Sequence, residues 1–272
     1  MNWWEDLVTG NPMLIEIQRS TRKFFGTNAT QSAVAIIIIL LIYIFLIGAT
    51  VAYSLNYLIT ANFMMLLLVA VAPIMLHASI AGERERRSWD MLLVAPVSKA
   101  QIVAGKFFGA ALAILILTAV LAVPLLASDY PDRDNLPTGI TITFREASFA
   151  LAVGAFTLMA SAWSKRSIAA LAIAYGSLFL GLMVFPILYS IANPISAESG
   201  FYFHPFFAIS QVHTAPFHSM FQEHPSIERN SYVTFGLVQT IAYLLAALAC
   251  LFIAVRTLSS AGWEDPSLAR SK

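Results

Sequence analysis

Charged residues are absent from five stretches of this chain, 24–82, 107–128, 147–164, 167–197 and 230–255. A helix that crosses a bilayer needs about 20 predominantly apolar residues. Each of the four shorter stretches offers one such helix. The first is long enough for two and is interrupted by SLNYLITAN, a polar turn signal. A buried helix of a soluble core could imitate any one of these runs, but not all of them. The pattern predicts an all-α integral membrane protein with six transmembrane helices, at about 32–54, 60–82, 105–128, 146–164, 167–191 and 231–256. They form a single transmembrane domain over residues 1–272.

The segments outside the spans differ in character. NPMLIEIQRSTRKFFG, residues 11–26, reads as a separate helix, with Asn11 as N-cap, Pro12 at the first helical position and Gly26 as the stop. Leu14, Ile17, Phe24 and Phe25 fall near one face and Glu16, Arg19 and Lys23 off it, as in an amphipathic helix lying in the membrane interface. Between spans 2 and 3, residues 83–95 predict a second short rod. Trp89, Leu92 and Leu93 share one side at i, i+3 and i+4, continued by Pro96, while Glu83–Arg87 and Arg86–Asp90 are opposite-charge pairs on the other. Pro96 ends the rod, and Ser98 to Gln101 form a capping box that starts the third span. A rod that is apolar on one side and charged on the other suits a groove on a partner protein. Gly105, Gly109 and Ala113 recur every four residues and let another helix approach span 3, in a dimer or within the bundle.

Two loops lie on the other face. SDYPDRDNLPTGITITF is acidic and turn-rich and reads as a solvated loop. Residues 193–229 mix aromatics, prolines and four histidines, and predict short re-entrant or interfacial helices before span 6. His204, His213, His218 and His224 have no compact metal-ligand spacing, and interfacial packing is the better reading.

Composition agrees with the pattern: 58% of residues are hydrophobic and 11% charged, and mean hydropathy is +0.74, whereas soluble domains carry about 25% charged residues. Lys and Arg are distributed 13 to 3, with only Arg133, Arg145 and Arg229 on the face opposite the rod. Such an excess marks the cytoplasmic side, and it predicts cytoplasmic termini and a cytoplasmic rod. The single cysteine, Cys250, excludes an internal disulfide.

Apart from Lys106, Glu146 and Arg256 at their ends, the spans so delimited contain no Asp, Glu, Lys or Arg, and only His77 could relay a proton. No nucleophile–base pair, metal set or phosphate-binding loop is legible. The chain is therefore expected to be no enzyme by itself, with no catalytic, cofactor or metal site, and to draw its energy from elsewhere.

The segment 83–106 resembles the signature of ABC-2 type transporter permeases, typically E-R-E-x-G-T-x-E-x-L-L-x-x-P-V-S-x-x-x-I-x-x-G-K. Glu83, Arg84, Glu85, Leu92, Leu93, Pro96, Val97, Ser98, Ile102, Gly105 and Lys106 match it. Ser88 stands for Thr, Asp90 for Glu, and Arg87 replaces the usual Gly. The resemblance implies a permease subunit of the cell (inner) membrane that pairs with a second permease copy or homologue. It also implies separate ATP-binding cassette subunits that bind ATP and Mg. Glu83, Arg84, Glu85, Arg87, Ser88, Trp89, Asp90, Leu92, Leu93 and Pro96 would then form a coupling helix, and no nucleic acid would be involved. Family members usually export their substrates. Two other classes stay open at this point: a non-transporting scaffold or regulatory subunit that keeps the rod, and an intramembrane enzyme.

The basic asymmetry makes topology testable. A cysteine at Ser271 should be shielded from an impermeant thiol reagent in intact cells, while one at Asn135 is labelled. Labelling of the first and not the second would invert the orientation.

Overall fold

The computed structural model describes residues 57–86, 98–127, 136–192, 204–206 and 229–260, together with Ile44 and Gly48, which are helical. These residues form α1 (Tyr57–Leu76), α2 (Ala81–Glu85), α3 (Lys99–Ala127), α4 (Leu136–Trp163), α5 (Ser167–Phe179), α6 (Phe185–Ala192) and α7 (Arg229–Ser260). A π-helical turn, Leu180–Val184, joins α5 to α6. No strand occurs among the described residues. Among the described residues five helical segments are long and apolar enough to cross a membrane: Thr60–Glu85, Lys99–Leu126, Gly139–Trp163, Ser167–Ala192 and Gly236–Leu258. The interfacial helix at 11–26 and, apart from Ile44 and Gly48, the first span at 32–54 lie outside the described residues, as does most of segment 193–229.

α4 is the axis of the bundle. Within its membrane segment 72% of residues are buried, against 11% for the α5–α6 segment. α4 packs on α7, α1, α3 and α5. Its small residues, among them Ala150, Gly154, Ala155 and Ala160, are buried and allow this close surround. The half of the core away from α2 joins Met64, Leu68, Leu125, Phe149 and Tyr243. The half nearer α2 joins Leu76, Phe107, Leu158, Met159 and Ala254. Large apolar side chains of α5 and α6, such as Ile168, Phe179 and Ile191, are exposed and suited to lipid.

Helices α4 and α7 run parallel in one register. Gly236 lies against the Thr141 methyl, the Phe149 and Tyr243 rings meet edge to face at 4.9 Å, and Trp163 Nε1–H donates to Thr257 Oγ1 at 2.8 Å. Hydroxyls inside the helices return to their own backbone: Thr118, Thr143, Thr157 and Thr240 each donate to the carbonyl four residues back. That removes the need for a water partner.

At two of the prolines inside helices, Pro73 and Pro186, a side chain from elsewhere bonds a nearby carbonyl. Pro73 lies inside α1, where its missing N–H loosens the turn before it. Tyr175 of α5 donates its hydroxyl to the neighbouring Ala70 carbonyl at 2.6 Å. Pro186 cannot supply the N–H that would reach the Leu182 carbonyl. His204 Nε2–H donates to that oxygen instead, at 2.8 Å. Burial pushes the His204 imidazole below the usual histidine range, only partly offset by this bond, which favours the neutral donor. One of the four outer histidines thus closes a gap in a membrane helix.

The fourth span corrects the reading from charge. Residues 136–144 are helical and not part of a solvated loop, and Arg145 and Glu146 lie inside α4 with 1% and 0% of their surface exposed. A boundary drawn at charged residues fails here because neighbouring helices bury the charges. Arg145 accordingly leaves the outer-face count, and the basic asymmetry becomes steeper.

A Cβ on Gly236 would stand 2.9 Å from the Thr141 methyl, whereas one on Gly176 would meet nothing within 4 Å. Gly236→Val is therefore expected to force α7 off α4 and cost about 1–3 kcal/mol. Gly176→Val should leave the melting temperature of the purified protein unchanged. Equal melting temperatures for the two variants would contradict the close α4–α7 register.

Candidate functional site

The site begins where α1 stops. After Leu76 the chain turns through residues 77–80 and restarts as α2. A helix start leaves its first N–H groups without partners, and Ser161 of α4 supplies them. Its buried Oγ accepts from Ile80 N–H at 3.1 Å and Ala81 N–H at 3.0 Å, and its own proton goes to the His77 carbonyl at 2.7 Å. One hydroxyl therefore satisfies both sides of the break.

The three charged residues of α2 each reach a different helix. Glu83 Oε1 forms an ion pair with Lys106 Nζ of α3, and the two side chains keep only 18% and 12% of their surface. Arg84 Nη1 donates to the carbonyls of Ala162 and Ser164 at 2.8 and 3.2 Å. These end α4, where a cation also complements the helix dipole. The Glu85 carboxylate accepts from the Ser167 hydroxyl at 2.7 Å and from its N–H at 3.1 Å. Ser167 opens α5, where an acidic group is equally well placed. Successive helical residues point about 100° apart, which is why three neighbours can address three helices.

α2 closes at Arg86, whose N–H returns to the Gly82 carbonyl at 3.1 Å and whose φ and ψ are −82° and 0°. The described part of the rod is thus a single turn that starts at Ala81, two residues before the predicted onset at 83. Arg87, Ser88, Trp89, Asp90, Leu92, Leu93 and Pro96 lie outside the described residues. The chain is described again at Ser98, and the predicted capping box is present. Ser98 Oγ accepts from Gln101 N–H at 3.2 Å, and Gln101 Oε1 accepts from Ser98 N–H at 2.8 Å. On α3, Gly105 and Gly109 are buried and Ala113 is half-buried.

The structure thus joins the first and last charged positions of the signature, Glu83 and Lys106, in one ion pair. The sequence is matched by the family model described as ABC-2 family transporter protein over residues 58–257. The chain belongs to this family. No curated protein matches it. As an ABC-2 transporter protein it is a multi-pass membrane protein, and membership implies association with ATP-binding cassette ATPases. Among the described residues no three His, Cys, Asp or Glu side chains gather in a way that could hold a metal.

Sequence reasoning identified Glu83, Arg84 and Glu85 but assigned them to a partner surface. The structure turns them toward α3, α4 and α5. The sequence alone did not point to Ser161 and Ser167, which carry no local signal because their partners lie some eighty residues away.

Ser161→Ala would leave two buried N–H groups and one carbonyl unsatisfied, a loss of about 1–3 kcal/mol per group. The expected outcome is faster hydrogen exchange at the Ile80 and Ala81 amides together with a lower melting temperature. Unchanged exchange at those two amides would remove Ser161 from the site.

Proposed function

We propose that this chain is the permease subunit of an ATP-driven exporter in the cell (inner) membrane. It pairs with a second permease copy or homologue and couples to separate ATPase subunits through residues 83–95, with both termini cytoplasmic. The observation that carries this reading is the fastening of α2 to three membrane helices by three successive side chains. A push on the rod reaches α3, α4 and α5 at once. In this reading Glu83, Arg84 and Glu85 transmit the movement. Trp89, Leu92, Leu93 and Pro96 form the apolar side that docks in the ATPase, and Arg87, Ser88 and Asp90 set its register. Catalysis, with ATP and Mg, belongs to the partner.

Apolar anchors dominate most interfaces. Trp89→Ala is therefore expected to weaken docking by about 2 kcal/mol, typical of such a truncation. The variant should insert and fold as before, since no described helix is altered. Copurification of the ATPase should fall, and its hydrolysis should lose dependence on the permease. Transport in reconstituted vesicles should fall with them. Retention of all three would refute the coupling role of the rod, and intact coupling without any transport would favour a scaffold.

A further inference from the structure

The outer half of the bundle contains a charged layer that the coupling reading does not use. Arg145 and Glu146 of α4 and Gln239 of α7 are buried, with 1%, 0% and 0% of their surface exposed. Gln239 lies between the two contacts that fix the α4–α7 register at this end, Gly236 on Thr141 and Tyr243 on Phe149. Both carboxylate oxygens of Glu146 are inaccessible and neither receives a hydrogen bond. An ionised carboxylate so placed is not sustainable, and such groups become neutral.

Among the described residues no cation bonds to it. Arg145 is the neighbouring residue, and adjacent helical side chains diverge by about 100°. It contributes charge at a distance and no hydrogen bond to Glu146. α1 carries no titratable side chain from Thr60 to Leu76. On α3, Lys99 and Lys106 lie toward the opposite end, the latter paired with Glu83. On α5, the Tyr175 hydroxyl is given to Ala70. On α7, Arg229 and Tyr232 stand in the first turn, before Gly236; Tyr243 lies one turn further in than Gln239, against Phe149, and Cys250 and Arg256 lie deeper still. Glu83, Arg84 and Glu85 of α2 are at the inner end, engaged as described above. A metal ion would need several oxygen or nitrogen ligands, and no such group of side chains exists among the described residues. An organic ammonium would need room beside a carboxylate that has no exposed surface. A proton needs neither.

We propose that Glu146 is a membrane-embedded proton-binding site, protonated while α4 is packed against its neighbours and ionised when they part and water enters. On opening, the carboxyl O–H bond breaks heterolytically, the proton passes to water, and the electron pair stays on a carboxylate then solvated by water. Nothing is oxidised or reduced. The packed form holds one more proton than the parted form, so raising pH favours parting and lowering pH favours packing.

The test uses the full-length chain alone in lipid nanodiscs, and its outcome is therefore independent of any ATPase. Infrared spectra at neutral pH should contain the C=O stretch of a buried carboxylic acid, absent in Glu146→Gln and shifted in Glu146→Asp. Spin labels on Phe63→Cys of α1 and Ile140→Cys of α4, both exposed positions, would be introduced after replacing Cys250. The distance between them should lengthen as pH rises in the parent protein and stay constant in Glu146→Gln. Absence of the carboxylic acid band overturns the proposal. So does a distance that ignores pH, or one whose pH dependence survives Glu146→Gln. If Glu146→Gln fails to fold, the band and its shift in Glu146→Asp decide alone.

Discussion

Hydrocarbon supplies no hydrogen bonds, and a helix that stops or bends inside it leaves backbone groups that only another part of the protein can satisfy. The described structure is organised around such repairs. Ser161 closes the break between α1 and α2. His204 reaches the carbonyl stranded by Pro186, and Arg84 covers the carbonyls at the end of α4. Each irregularity thereby fixes one helix relative to another. The bends position the helices because they have to be satisfied from outside.

This explains the place of α4. It receives the repair from α2 at one end, offers Ser161 along its length, and keeps a parallel register with α7 throughout. Because it is surrounded, it can hold polar residues that a lipid-facing helix could not. The same burial makes Arg145 and Glu146 the least expected residues of the fold. It also separates two levels of chemistry, a hydrogen-bonded junction near one face and an isolated acid toward the other.

What the sequence disclosed follows the range of the interactions involved. Apolar runs pointed to the five candidate membrane helices of the described residues because the requirement for about 20 apolar residues is local. The capping box at Ser98 and Gln101 was legible for the same reason, since its partners are three residues apart. Pro186 announced a stranded carbonyl but not the donor, because His204 reaches it across a loop. Ser161 gave no signal at all, being one small hydroxyl among several in a greasy helix. The rule that charge ends a span failed at Arg145 and Glu146, where packing between helices overrode the preference of each residue. The direction taken by Glu83, Arg84 and Glu85 was equally hidden, since it depends on where α3, α4 and α5 happen to end.

The triple attachment of α2 has a mechanical consequence. Two fixed points leave a body free to swing about the line between them, whereas three that are not collinear fix its orientation as well. Lys106, the end of α4 and Ser167 are three points on three different helices. A turn held in this way has no free pivot: any displacement of α2 that keeps its bonds is shared by three helix ends.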